Sequence, residues 1–136
     1  MRYYYNRTWT DHGFTYNDCA LQEKEWLTRY PSMRKVSDHN PAYNCHSYAW
    51  YSTSTSNKYW IPDPDIYISD GSFTRQSTAK AGYKANWSGV HSAIVRSVSG
   101  NTITCISKWG AMGVYTHELN DCPYSEEYRG TIRYYA

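Results

Sequence analysis

Long apolar runs are missing from this 136-residue chain. No stretch approaches the roughly 20 residues that a membrane-spanning helix needs. Met1-Arg2-Tyr3-Tyr4-Tyr5-Asn6 also lacks the apolar core of a signal peptide. Export is therefore expected to use another route or a leader already removed. A surplus of one charge is missing too: 14 Lys and Arg stand against 12 Asp and Glu, scattered, for a net charge of +2. Without a basic stripe a nucleic-acid partner is not expected. There is no Cys-x-x-Cys pair, no internal repeat, and no low-complexity tract beyond Ser52-Thr53-Ser54-Thr55-Ser56. Phenylalanine is nearly absent, with 2 Phe against 16 Tyr and 6 Trp, and the mean hydropathy is -0.80. The apolar bulk is thus carried by rings with polar handles, which suit cores and polar-ligand clefts alike.

The length suits one domain spanning 1–136, with a core that needs neither disulfide nor metal. Residues 1–16, ring-rich and polar, read as an extended leading segment or short strand, with His12 as a surface-loop imidazole. Asn17 or Asp18 can cap a helix running to about Arg29, ahead of Pro31. Residues 32–42 read as a polar loop. Tyr59 to Asp65 and Asp70-Gly71-Ser72 are turn-rich, and 80–89 again reads as loop. Asp63, Asp65 and Asp70 do not follow a calcium-loop spacing. His91 to Val98 and Thr102 to Ser107, split by Ser99-Gly100-Asn101, predict a β-hairpin. Gly113 to His117 predicts a third strand and Gly130 to Tyr135 a closing one.

Asn44-Cys45-His46-Ser47-Tyr48-Ala49-Trp50 is the chemically loaded stretch. A cap followed by a cysteine at the start of a helix, expected to run from Asn44 to about Ser52, puts a thiol where peptide dipoles favour the thiolate. Such a thiol needs an imidazole as base and a polar group to orient that imidazole. Strand alternation puts His91, Ala93 and Val95 on one face and Ile103, Cys105 and Ser107 on one face of the returning strand. If that face packs on the cysteine helix, His91 meets Cys45 and Ser107 orients the ring, with His117 as the substitute. His46 points about 100° away from Cys45 around the helix, which favours a rim or structural role. A zinc site of Cys45, His46, His91 and His117 matches no usual ligand spacing.

Asn-Cys-His-Ser-Tyr-Ala-Trp at 44–50, His-Ser-Ala-Ile-Val at 91–95 and Ser-Lys-Trp-Gly at 107–110 resemble the papain-like NlpC/P60 and CHAP superfamily of cysteine peptidases and amidases. The resemblance covers about residues 40–117 and leaves 1–39 as an N-terminal extension and helix. It implies an α+β fold of papain-like, NlpC/P60 type, with a cysteine-bearing helix packed on an antiparallel sheet of about four to six strands. The implied activity is thiol-dependent amide hydrolysis without a cofactor, typically in the stem peptides or cross-links of peptidoglycan. The expected setting is the cell envelope or extracellular space, as a monomer acting in wall remodelling or as a secreted antibacterial effector. Two departures stand out. Gly82 is followed by Tyr83 and Lys84 where the family carries Gly-Asp, and the third catalytic position holds Ser107 instead of His, Asn or Glu. Tyr48, Trp50 and Trp109, with Trp60 and Trp87, are candidates to line a substrate groove. The rival readings are an acyltransferase or transglutaminase-like enzyme on the same Cys-His site, and a non-catalytic cell-wall-binding module. Pairing among Cys19, Cys105 and Cys122 is open.

Overall fold

The computed structural model of the protein describes residues 7–127 and 131–136. The leading segment at 1–6 and Gly130 of the closing strand lie outside the described residues. Trp9–His12 is a one-turn helix (α1) and not a strand; at its cap the Thr8 amide and hydroxyl both donate to the Asp11 carboxylate. Helix α2, Tyr16–Arg29, starts ahead of the expected Asn17 or Asp18, because Thr15 supplies a capping box. The Thr15 hydroxyl accepts from the Asp18 amide, and the Asp18 carboxylate accepts from the Thr15 amide. Each device satisfies amides that the first helical turn leaves without partners.

The loop expected at 32–42 contains a strand, β1 (Arg34–Ser37), exposed and charged as an edge strand tends to be. The cysteine helix α3, Cys45–Trp50, is shorter than expected. The connector after it holds another helix, α4 (Asp65–Ser69), preceded by Pro64 and opening on an aspartate. Prolines that read as turn residues here mark a helix start. A two-residue strand β2 (Arg75–Gln76) follows, then β3 (Lys84–Trp87), where a loop was expected. Lys-Ala-Asn has low strand propensity, but β3 is paired on both sides, and that tertiary pairing outweighs propensity. The hairpin of β4 (His91–Ser99) and β5 (Thr102–Lys108) forms as expected, as does the third strand β6 (Val114–Glu118). Helix α5 (Pro123–Glu127) and strand β7 (Ile132–Tyr135) complete the chain.

Among the described residues the strands form one antiparallel sheet of seven, ordered β1-β6-β5-β4-β3-β7-β2, so the architecture is α+β with a larger sheet than expected. Both of its faces are covered. On one face Ala93, Val95, Cys105 and Tyr115 pack with Cys19 of α2 and with Trp87 and Trp109. On the other, Ile94 and Ile106 meet Tyr43, Tyr48, Ala49 and Trp50 around α3, with Tyr67 of α4 alongside. This corrects one expectation. Helix α3 lies on the Ser92–Ile94 face, and His91, Ala93 and Val95 look the other way, because side chains alternate along β4. Cys45 and His91 still approach one another, since one opens its helix and the other opens its strand at the same end of the sheet.

Gly113 lets β6 run close to β1. A Cβ there would press into the carbonyl oxygen of Ser37 and lie 3.2 Å from the Tyr115 hydroxyl. Gly113→Ala is expected to destabilise the fold by about 1–3 kcal/mol, as overpacking does. Urea unfolding checks this, and an unchanged midpoint would show that the strand pair can relax at no cost.

Candidate active site

Asn44 builds the thiol's setting. Its carboxamide oxygen accepts from the Ser47 amide, capping α3, and from the Ile61 amide, while its NH2 donates to the Ile61 carbonyl. One side chain thereby starts the helix at Cys45 and holds the Ile61–Pro62 connector against it. Cys45 is 7% exposed. It faces a cavity of about 370 Å³ lined by Asn44, His46, Trp60, Pro62, Gly89, Val90, Gly110 and Tyr124. Burial alone would push the thiol up. The neighbouring His46 and His91, through charge and hydrogen bonding, outweigh it and hold Cys45 well below the ordinary cysteine value.

On the opposite face, His91, Ser107 and His117 run diagonally across β4, β5 and β6. The His91 Nε2 is 3.3 Å from the Ser107 hydroxyl, which is 3.2 Å from the His117 Nε2. The direction of each bond follows from its ends. His117 Nδ1 lies 2.8 Å from the carbonyl oxygen of Glu118, which can only accept, so Nδ1 carries the proton. Burial pulls His117 down to about 4, so the ring is neutral and its Nε2 is an acceptor. The Ser107 hydrogen therefore goes to His117. Its two lone pairs accept from the Trp109 indole N–H, at 2.9 Å, and from His91 Nε2–H. A proton on Nε2 of neutral His91 leaves the Nδ1 lone pair for the thiol.

That nitrogen has no partner at ordinary hydrogen-bond distance and is fully buried. Cys45 acts on the ring, and its charge partly offsets the burial that lowers His91. The resting contact is thus loose, as catalytic pairs often are before substrate tightens them. The His91 ring cannot swing away. Tyr124 of α5 stacks on it at 3.8 Å between centroids and 3° between planes, with Trp87 tilted against it at 5.0 Å.

The expected groove rings are placed differently. Trp50 and Tyr48 pack in the core clusters around α3, and Trp109 and Trp87 in the cluster on the other face. The indole N–H groups of Trp50, Trp109 and Trp87 go to the buried hydroxyls of Ser92, Ser107 and Ser125. Only Trp60 of the five lines the cavity, with its N–H on the Pro41 carbonyl. His12, expected on a surface loop, instead closes α1 and bonds the same carbonyl, with its ring 5.0 Å from that of Trp60. His46 is not at the rim: it is 3% exposed, and its ring and the Cys45 sulfur act on one another's charge. Tyr124, Ser92 and Asn86 had no signal in the sequence, because only the folded sheet brings them to the site. The four zinc candidates do not form a ligand cluster; no group of three or more such residues among those described has that geometry. Asp63 and Asp70 accept from the amides of Asp65 and Ser72, as turn carboxylates do. All four cysteines are free and buried.

Lys108 fixes the loops on either side of the thiol. Its ammonium donates to the carbonyls of Asn40 and Gly110, each at 2.6 Å, and sits 4.6 Å over the Tyr43 ring. Burial pulls it down to about 7. No family model, curated protein or solved structure matches this chain. The NlpC/P60 and CHAP resemblance therefore rests on the motif residues alone.

Two outcomes follow from these networks. Ser107→Ala leaves His91 Nε2, His117 Nε2 and the Trp109 indole without their shared partner, at about 1–3 kcal/mol for each unsatisfied buried group. Denaturant unfolding is expected to show a loss of about 3 kcal/mol or more; a loss below about 1 kcal/mol would mean that the hydroxyl is not the hub. Lys108 binds its proton more weakly in the folded chain than in the unfolded one, whose lysine value is about 10.4. Above pH 7 the unfolded state therefore holds more protons, and stability rises with pH through that window. Between about pH 7 and 8.5, below the range of ordinary thiols, the slope is expected to reach up to about 1.4 kcal/mol per pH unit. Unfolding measured at each pH should give a slope smaller by that amount in Lys108→Met, and what remains has the same sign because Cys45 also holds its proton more weakly in the folded chain.

Proposed function

We propose that the protein is a thiol-dependent amide hydrolase, a peptidase or amidase acting on the peptide stems or cross-links of peptidoglycan. One observation carries the chemistry: a buried thiol at a helix start meets a histidine whose Nδ1 lone pair is kept open by a chain of hydrogen bonds ending on a backbone carbonyl. The substrate class comes from the motif resemblance.

In this reading His91 Nδ1 takes the Cys45 proton as sulfur attacks the scissile carbonyl carbon and the S–C bond forms. The oxyanion lies at the start of α3, beside the Cys45 backbone amide. As the C–N bond breaks, the leaving amine takes the proton from His91, and an acyl-thioester remains. Water then attacks the thioester, giving one proton to His91. The C–S bond breaks, the acid leaves, and that proton returns to sulfur. Ser107 and His117 keep the ring in the tautomer that each cycle needs, in the place where a carboxamide or carboxylate would serve. The cavity of about 370 Å³, with the small Gly89 and Gly110 at its wall, suits an extended peptide.

The test is digestion of purified peptidoglycan by wild type, Cys45→Ala and His91→Ala, with fragments identified by mass spectrometry. New amine and carboxyl ends are expected from wild type alone. The same fragments from Cys45→Ala, or none from wild type, would remove this assignment.

A further inference from the structure

The sulfur has a second imidazole that the catalytic chain above does not use. His46 lines the same cavity as Cys45, and its Nδ1 lies 2.7 Å from the Ser92 hydroxyl, fully buried on the α3 face of the sheet. Two donors already reach that hydroxyl: the Trp50 indole N–H at 2.9 Å and the Asn86 NH2 at 3.1 Å. The Asn86 amide is itself oriented, because its oxygen accepts from the Gly89 amide and its nitrogen donates to the His91 carbonyl. With both lone pairs taken, Ser92 has one hydrogen left, and it goes to His46 Nδ1. The proton of neutral His46 is then on Nε2. Nε2 is the nitrogen left for the cavity that His46, Cys45 and Gly89 line together, where the Gly89 carbonyl and the Cys45 sulfur act on the ring.

We propose that His46 is a fixed Nε2–H donor to Cys45, so that one sulfur sits between two imidazoles of opposite polarity. His91 accepts the thiol proton through Nδ1, and His46 holds the resulting negative sulfur through Nε2–H. The groups facing His46 are Cys45 on α3, His91 on β4, the Gly89 carbonyl in the β3–β4 turn, Asp63 in the connector and Asp65 at the start of α4. Burial opposes charge on the ring, while the Cys45 thiolate and Asp63 favour it and raise His46 overall. Nε2 keeps its hydrogen in both charge states, so the donor role survives a change of protonation. As a group that touches the reacting atom, His46 is a catalytic residue within the hydrolase reading, on which that role rests; the bond polarity does not depend on it.

The experiment needs no substrate. Alkylation of Cys45 by iodoacetamide, followed by mass spectrometry of the labelled peptide, is measured against pH for wild type, His46→Ala and His46→Gln. Nitrogen-15 spectra of histidine-labelled wild type give the tautomer of His46. Wild type is expected to carry the proton on Nε2. In His46→Ala the alkylation midpoint is expected to rise by about one pH unit or more, roughly a tenfold loss of reactive thiolate below it. His46→Gln, whose carboxamide N–H reaches the same place, is expected to recover most of that loss. A proton on Nδ1 alone, an unshifted midpoint in His46→Ala, or a glutamine variant no better than alanine would overturn the proposal. If the alanine variant does not fold, the spectra and the glutamine variant decide. Peptidoglycan left intact by wild type, with the alkylation results as expected, would remove the hydrolase reading and leave this one standing.

Discussion

A hydroxyl has one hydrogen and two lone pairs, and a buried hydroxyl with three protein partners has that count filled. Most of what is distinctive here follows from applying it to two serines. Ser107 and Ser92 are both fully buried and lie on opposite faces of one sheet. Each accepts from an indole N–H, Trp109 in one case and Trp50 in the other. Each takes a second donor and so has a single hydrogen left, which is passed to a histidine nitrogen. The indoles are thus polar components as well as apolar bulk. A chain rich in tryptophan and poor in phenylalanine can build a core whose rings decide which way buried protons point. Exchanging either indole for phenylalanine would keep most of the packing and free a lone pair on the serine, and with it the direction of the bond beyond.

The sheet's two covered faces explain how a nucleophile and its base come from separate cores. Helix α3 brings Cys45 on one side; β4, β5 and β6 bring His91, Ser107 and His117 on the other. The site exists only where the layers run out, at the end of the sheet where β3 turns into β4. Residues Ser88, at φ 50°, and Gly89, at φ 78°, make that turn tight, and Gly89 and Val90 form part of the cavity wall. Positive φ at a non-glycine residue is uncommon and is tolerated where surrounding structure demands it. Here the demand is visible: the Gly89 amide bonds the Asn86 side chain, and the Val90 amide bonds the Trp87 carbonyl.

What the sequence made legible was local. The hairpin at 91–107, the strand after Gly113 and the cap at Asn44 could be read because alternation, turn residues and capping act over a few positions. Pairing His91 with Ser107 depends on a feature that parity does not contain: Ser97 faces Thr104, so unbroken alternation would put His91 on the Ile106 face, and the bulge between Val95 and Ser97 brings Val95 opposite Cys105 and His91 onto the Ser107 face. Strand β3 was hidden because Lys84, Ala85 and Asn86 have little intrinsic preference for a strand and become one through partners on both sides. The face on which α3 packs was not legible either. Parity says which residues travel together, and nothing in it says which group meets the helix. For His46 the sequence offers helical geometry alone. A rotation of about 100° per residue describes where a side chain leaves the backbone, whereas a ring that bonds back to Ser92 on β4 is a tertiary fact.

The third position shows how these limits bear on chemistry. A single residue with a fixed polarity, such as a carboxylate, can orient a histidine by itself, because it can only accept. Serine can donate or accept, so Ser107 alone would leave His91 in either tautomer. The polarity has to be imposed from further away. It is imposed by the Glu118 carbonyl, which fixes His117, which takes the Ser107 hydrogen. Serine therefore fills this position only together with His117, and the two candidates weighed as substitutes in the sequence are instead successive links. Among the described residues, the groups bonded in line behind His91 carry no negative charge. An imidazolium there is stabilised chiefly by the thiolate that created it, so proton transfer and thiolate formation are tightly coupled. A separate donor to the sulfur then has a clear physical use: it lowers the cost of the thiolate without adding an acid behind the base.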